Sequence, residues 1–166
     1  MKLGVWLFML IFFLRTVGKP TPWVPFLDNV NLLIHESGHV FFSGAGELFS
    51  ALGGTITQLF IPLFVVLYFV FRKEFFETGF GIYWLGQNLV NISVYIKDAR
   101  TTLLPLVNDG THDWSIILSI LGWLKYDFTL GNIAAFFGYL MMFLAILWGA
   151  FLLFNKLKQR AAQPIL

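Results

Sequence analysis

The stretch NLLIHESGHVFF, residues 31–42, places two histidines and a glutamate inside an apolar run. His35 and His39 are four residues apart, so on a helix they lie on one face with their Cβ atoms about 6 Å apart. Two imidazoles at that spacing can share one metal ion. Glu36 completes the pattern H-E-x-x-H, in which the histidines bind Zn²⁺ and the glutamate acts as general base on the bound water.

The pattern is specific, although a structural alternative exists for its histidines. In a chain of this composition, chance produces H-E-x-x-H about once in a thousand shuffled sequences. The alternative is that His35 and His39 are core residues that bridge helices by hydrogen bonds. Ionisable side chains are costly inside an apolar membrane segment and are functional candidates there, which favours the metal site.

A catalytic zinc site needs a third protein ligand and one position open to water. We predict Asp98 as the third ligand, and His112 as a fourth ligand or as a residue that stabilises the transition state. Asp98 could instead form a surface ion pair with a neighbouring cation, and His112 could be an exposed loop histidine. Asp113 could orient the His112 ring or cap a helix that begins at Trp114. The sequence leaves these alternatives open.

Composition indicates where such a site would lie. The chain has 166 residues, of which 58% are hydrophobic and 12% are charged, whereas soluble domains carry about 25% charged residues. Residues 55–71 and 132–154 contain no charge, and the second run is long enough to cross a hydrocarbon core of about 30 Å. We therefore expect an integral protein of a bacterial-type cell membrane, in contact with the lipid bilayer. The net charge of +2 is too small to indicate a nucleic-acid partner.

The expected fold is an all-α integral membrane protein made of a single membrane domain, residues 1–166. It has about five transmembrane segments and one interfacial helix, which carries Trp114 and Trp123 at headgroup level. The glycine-rich residues 43–54 are expected to form a loop or a break. The five segments are predicted at residues 3–17, 25–42, 55–71, 78–96 and 132–154, and the interfacial helix at residues 114–124.

The predicted ligands can meet only near one surface of the membrane. If the second helix ends near Phe42, His39 lies about one turn below that surface, and Asp98 reaches the same face because the second and fourth segments run in the same direction. In this topology four Lys and Arg residues, including Lys2, share that face, and seven lie on the opposite side. The positive-inside rule then places the C-terminus in the cytoplasm.

HESGH in a predicted membrane segment, followed two segments later by an aspartate, resembles the site-2 protease family of intramembrane zinc metallopeptidases. The resemblance covers about residues 29–100. It implies that His35, His39 and Asp98 hold zinc, and that Glu36 activates the attacking water. It also implies that the substrate is a transmembrane segment of another protein.

Two features of the family are matched only loosely. The family's aspartate usually stands between a leucine and a glycine, whereas Lys97 and Ala99 flank Asp98 here. The family also uses an asparagine near the substrate backbone, and the resemblance assigns that role to Asn88 or Asn91.

The expected function is therefore hydrolysis of membrane-embedded or juxtamembrane peptides by a zinc-activated water. The alternatives are a non-enzymatic membrane protein that binds or transports a divalent metal, and an inactive protease homologue that acts as a partner-binding scaffold. Glu36 distinguishes them, because a metal-binding scaffold tolerates Glu36→Gln whereas a hydrolase loses turnover and keeps its ion.

Overall fold

A computed structural model describes residues 1–22, 24–104 and 112–161 of the chain. In these ranges the chain forms α-helices, one short 3-10 helix at Leu124–Tyr126, and no β-strand, which confirms the predicted all-α class. Residues 105–111 of the predicted polar connection lie outside the described ranges. The helices are α1 (Lys2–Thr16), α2 (Leu27–Phe42), α3 (Glu47–Phe71), α4 (Phe75–Asp98), α5 (Asp113–Ile120) and α6 (Asp127–Ala161).

Helices α4 and α6 form the antiparallel pair at the centre of the fold. They cross at Gly86 and Gly138, where a Cβ atom on either residue would overlap the carbonyl oxygen of the other. Small residues at such a crossing allow two helix backbones to approach closely. Tyr83 of α4 and Met142 of α6 are buried in the main hydrophobic cluster.

Helix α3 runs antiparallel to both α2 and α4. The Thr57 hydroxyl donates to the Ile34 carbonyl on α2 (3.1 Å). The predicted loop or break at residues 43–54 is wrong in its second part, because α3 begins at Glu47 and includes Gly53 and Gly54. Both glycines are buried against α2, so they serve close helix packing rather than a break in the chain.

Helix α1 runs alongside α6 in the opposite direction to it. Lys2 forms an ion pair with Glu77 near the start of α4 (2.8 Å). At the other end of α1, the Thr16 carbonyl accepts a hydrogen bond from the Tyr139 hydroxyl (2.9 Å), part-way along α6. Helix α1 is therefore parallel to α4, and its N-terminus lies near the N-terminus of α4.

Helix α2 continues in the direction of α1 instead of returning. The connector between them is buried at Val24, which packs in the same cluster as Tyr83 and Met142. Asp28, in the first turn of α2, then accepts a hydrogen bond from Gln87 near the middle of α4 (2.6 Å). The prediction that Lys2 lies at the same end as the histidines is wrong, because α1 and α2 lie end to end along α4.

Two helical stretches are long and apolar enough to cross a membrane: α3, and the stretch Leu124–Ala161 that combines the 3-10 turn with α6. The predicted count of five membrane segments is not supported by the described part of the chain. Large apolar side chains nevertheless cover much of the outer surface, including Phe41, Phe64 and Phe154.

Helix α5 lies over the end of the fold where α4 finishes. Its Leu118 is buried in a second cluster with Ile92 and Ile96 of α4. The predicted interfacial helix at residues 114–124 therefore exists as a shorter helix, and its position relative to a membrane stays a prediction. Beside it, Arg100 donates to Asp127 (2.6 Å), which joins the end of α4 to the start of α6.

Candidate metal centre

Two helices bring three metal-ligating side chains together beneath this end of the fold. On α2, His35 and His39 lie one turn apart with their ring centroids 4.8 Å from each other. Asp113, the first residue of α5, places its Oδ2 atom 2.9 Å from His35 Nε2 and 3.2 Å from His39 Nε2. Ligand atoms around a tetrahedral zinc ion with bonds of about 2 Å stand about 3.3 Å apart. The three residues could therefore hold a metal ion.

The partner of its Nδ1 atom sets the tautomer of a neutral His39 ring. His39 Nδ1 lies 2.8 Å from the Ser50 carbonyl oxygen, and a carbonyl only accepts, so Nδ1 carries the hydrogen. Nε2 of the neutral ring then presents its lone pair to Asp113, whose carboxylate oxygen is also an acceptor. One added proton would satisfy a single pair of these atoms, whereas a metal ion would satisfy all three.

The second nitrogen of His35 is engaged in the same way. Its Nδ1 lies 3.0 Å from Gln58 Oε1 on α3, which leaves Nε2 facing Asp113. The ring also packs against the backbone of α3 at Gly54, where a Cβ atom would overlap the imidazole. The position of His35 therefore depends on α3 as well as on α2.

Glu36 lies on α2 beside His35 and is exposed. The helical spacing of H-E-x-x-H places its side chain to one side of the face that carries the two histidines. A carboxylate there is accessible to a substrate or a water molecule that approaches the site from outside.

Asp98 is not among the side chains gathered at this centre. Its carboxylate accepts hydrogen bonds from the Thr101 hydroxyl (2.5 Å) and from the backbone N–H groups of Leu103 and Leu104 (3.0 and 2.9 Å). Its Oδ2 also lies 3.3 Å from His112 Nε2. Asp98 therefore organises the chain that leaves α4.

His112 is buried and forms the N-cap of α5. Its Nδ1 accepts from the Ser115 backbone N–H (3.2 Å), and its Nε2 faces Asp98. Both ring nitrogens thus have protein neighbours away from the two α2 histidines. Asp113 lies between His35 and His39. The two roles that the sequence left open for it, orienting the His112 ring and capping a helix, do not include this position.

The two asparagines assigned to substrate have protein partners as well. Asn88 is fully buried, and its side-chain amide donates to the Trp84 carbonyl of its own helix (2.9 Å). Asn91 bonds to Gln58 on α3 and to Asp28 on α2 (3.1 and 3.0 Å).

Sequence reasoning missed Gln58 and the part that Asp28 plays. Asp28 lies in the first turn of α2, and Gln58 lies in a largely apolar stretch of α3. A lone amide inside an apolar helix is the signal that could have marked Gln58, because a buried amide needs hydrogen-bond partners.

Comparison with known proteins gave no match to a protein-family model, to a curated protein or to a solved structure.

Proposed function

We propose that this protein is an integral membrane zinc metallopeptidase that hydrolyses membrane-embedded or juxtamembrane peptides. The observation that carries the proposal is the convergence of three acceptor atoms, from His35, His39 and Asp113, within the H-E-x-x-H helix and the first turn of α5. Two imidazoles and one carboxylate are a common ligand set for catalytic zinc, with a further position left for water.

The chain's own residues supply the remaining chemistry. Zinc, when bound, lowers the pKa of its water to about 7 and polarises a substrate carbonyl. Glu36 accepts the proton of the attacking water and delivers it to the departing amine, as a general base and then a general acid. Its exposure allows the substrate to approach from the outer side of α2.

The apolar surface of α2 supports a substrate within the bilayer. Leu33, Val40 and Phe41 share the exposed side of this helix with Glu36 and have exposed fractions of 73%, 76% and 83%. An apolar peptide segment can cover these side chains, while α5 keeps the opposite side of the centre away from water. The absence of charge along much of α3 and α6 supports placement of the whole bundle in a membrane.

Metal analysis of the purified protein in detergent tests the centre. We expect about one zinc ion per chain in the wild type and in Asp98→Asn, and loss of the ion in His35→Ala and Asp113→Asn. Elemental mass spectrometry should include iron, because two histidines and one carboxylate also suit Fe²⁺. A wild type that binds no zinc after reconstitution, or iron in its place, would contradict the proposal.

Glu36→Gln tests the hydrolytic step separately from the metal. Because the substituted residue is not a ligand, the variant should keep one zinc ion and lose cleavage by about 10²–10⁴-fold. The measurement is the appearance of new peptide N-termini in membranes incubated with wild type or with the variant. Zinc binding without any difference between the two would indicate a metal-binding protein that is not a peptidase.

A further inference from the structure

A chain of hydrogen-bonded side chains connects His35 to a buried carboxylate on its own helix. His35 Nδ1 lies 3.0 Å from Gln58 Oε1, and Gln58 Nε2 donates to Asn91 Oδ1 (3.1 Å). Asn91 Nδ2 then donates to Asp28 Oδ1 (3.0 Å). Asp28 and Gln58 have exposed fractions of only 1% and 3%. Three helices therefore contribute to one buried polar path.

The carboxylate fixes the direction of every hydrogen bond along this path. The Asp28 side chain accepts three hydrogen bonds, which is the pattern of an ionised carboxylate, a group that only accepts. Asn91 therefore turns its NH₂ group toward Asp28 and its oxygen toward Gln58. Gln58 must then donate to Asn91 and present its own oxygen to His35. The hydrogen of the neutral imidazole therefore resides on Nδ1, and the Nε2 lone pair faces the metal centre.

A second branch reaches the same carboxylate from the opposite direction. Trp84 Nε1 donates to Asn31 Oδ1 (2.8 Å), Asn31 Nδ2 donates to Gln87 Oε1 (2.7 Å), and Gln87 Nε2 donates to Asp28 Oδ1 (2.6 Å). An indole N–H only donates, so this branch has one possible direction. Both branches therefore direct their hydrogens toward the Asp28 carboxylate.

We propose that Asp28 is a positioning residue for the metal ligand His35, acting through Gln58 and Asn91. Its charge fixes the tautomer and orientation of the ring and, by polarising two amides in series, increases the electron density at Nε2. A ligand histidine commonly bonds to a carboxylate directly; here two amides separate the two groups. This role rests on the proposed function, because it acts on an ion held by His35.

The first test is the zinc affinity of Asp28→Asn, measured in detergent by competition with a chelator. The substituted side chain is neutral and no longer an obligatory acceptor, so the fixed direction of the path is lost. We expect binding of one ion to weaken by about 10–100-fold. The Co²⁺-loaded variant should also show shifted visible absorption bands, because the ligand field at His35 changes.

A second substitution distinguishes positioning from simple packing. In the double variant Asp28→Asn with Gln58→Glu, a carboxylate adjoins His35 Nδ1 directly and again holds the hydrogen of the neutral ring on that atom. We expect this variant to recover most of the lost zinc affinity. If Asp28 only held the helices together, the double variant would bind zinc as weakly as the single one or more weakly.

Ser93→Ala provides the matched control, since it removes a buried hydroxyl of α4 whose hydrogen bond, to Val90, stays within that helix. Its zinc affinity should equal that of the wild type. If Asp28→Asn does not fold, Gln58→Met breaks the path beside His35 and should weaken zinc binding by the same factor.

The two proposals fail in different ways. Unchanged zinc affinity in Asp28→Asn or Gln58→Met, beside a wild type that binds one ion, would overturn the positioning role alone. A wild type without zinc would overturn the metallopeptidase itself.

Discussion

At the scale of single residues, the position of His35 is set by the absence of a side chain opposite it. The ring lies against Gly54, where a Cβ atom would overlap three ring atoms. An imidazole that must also keep Nδ1 near Gln58 and Nε2 near Asp113 has little freedom to move aside.

Gly54→Ala should therefore displace the imidazole and weaken zinc binding by about tenfold or more, the loss expected when the support of a metal ligand is disturbed. The control is Gly44→Ala, because a Cβ atom at Gly44 would meet nothing within 4 Å. Chelator competition on the two purified variants gives the comparison. Equal affinities would show that His35 does not pack against α3 as described.

The N-cap position of His112 gives a prediction that separates a cap from a ligand. Asparagine is a good N-cap residue, so His112→Asn should preserve the start of α5 and with it the position of Asp113. We expect His112→Asn to retain one zinc ion per chain, as measured by elemental mass spectrometry. Complete loss of zinc in this variant would favour the fourth-ligand role that the sequence suggested.

The spacing of His35, Glu36 and His39 is predictable from the sequence, because a helix alone determines it. The sequence predicts Asp98 as the third ligand, whereas the structure places Asp113 beside the two histidines, and the helical pattern cannot make that choice. That choice depends on how the chain folds after α4, where Asp98 is engaged by the hydroxyl of Thr101 and by two backbone N–H groups. These are contacts of a non-helical segment, and a residue pattern with a helical period contains no information on them.

At the scale of helices, the pairing of α4 with α6 holds the side chains that support the centre. Gly86 contacts the backbone of α6 at Gly138. Next to this crossing α4 carries Gln87, which bonds to α2, and one turn further it carries Asn91, which bonds to α3. The support of the centre therefore depends on a close approach of two other helices.

Gly86→Ala should separate α4 from α6 and lower the free energy of unfolding by about 1–3 kcal/mol, the usual cost of overpacking. Thermal unfolding in detergent measures the effect as a lower Tm. Gly4→Ala serves as the control, because a Cβ atom at Gly4 in α1 would meet nothing within 4 Å. A Tm that is unchanged in both variants would mean that the helices cross elsewhere.

Helix existence was predictable from the apolar runs, whereas the direction of α1 was not. The sequence predicts one membrane crossing for each apolar run, which would make α1 and α2 run in opposite directions. The structure joins them through buried Val24 and places Asp28 beside the middle of α4. Tertiary contacts decide this arrangement, and the length of an apolar run does not report them.

At the scale of the whole molecule, helix directions define two ends of the bundle. The centre lies at the end where α3 begins, since His39 contacts the Ser50 carbonyl. Helix α6 begins at the same end, where Asp127 pairs with Arg100, and its C-terminal residues lie at the other. If α3 and α6 both cross a membrane, the centre and the C-terminal basic residues face opposite sides.

Single-cysteine labelling tests this arrangement directly, because the chain contains no cysteine. Gly44→Cys, at the end with the centre, and Lys156→Cys, in α6, should react with a membrane-impermeant maleimide from opposite sides. With the C-terminus in the cytoplasm, intact cells label only the first variant, and permeabilised cells label both. Labelling of both variants in intact cells would show that the two helices do not span as proposed.

The side of the membrane on which the N-terminus lies distinguishes an even from an odd number of membrane crossings. If α1 and α2 share one crossing, and α3, α4 and α6 each make another, Lys2 lies on the same side as Lys156. The ion pair between Lys2 and Glu77 supports this placement of Lys2. Its loss in Lys2→Cys should lower the stability of the fold only slightly, because the pair is exposed. We expect Lys2→Cys to be protected in intact cells, like Lys156→Cys. Labelling together with Gly44→Cys would instead restore five crossings, with α1 and α2 running in opposite directions.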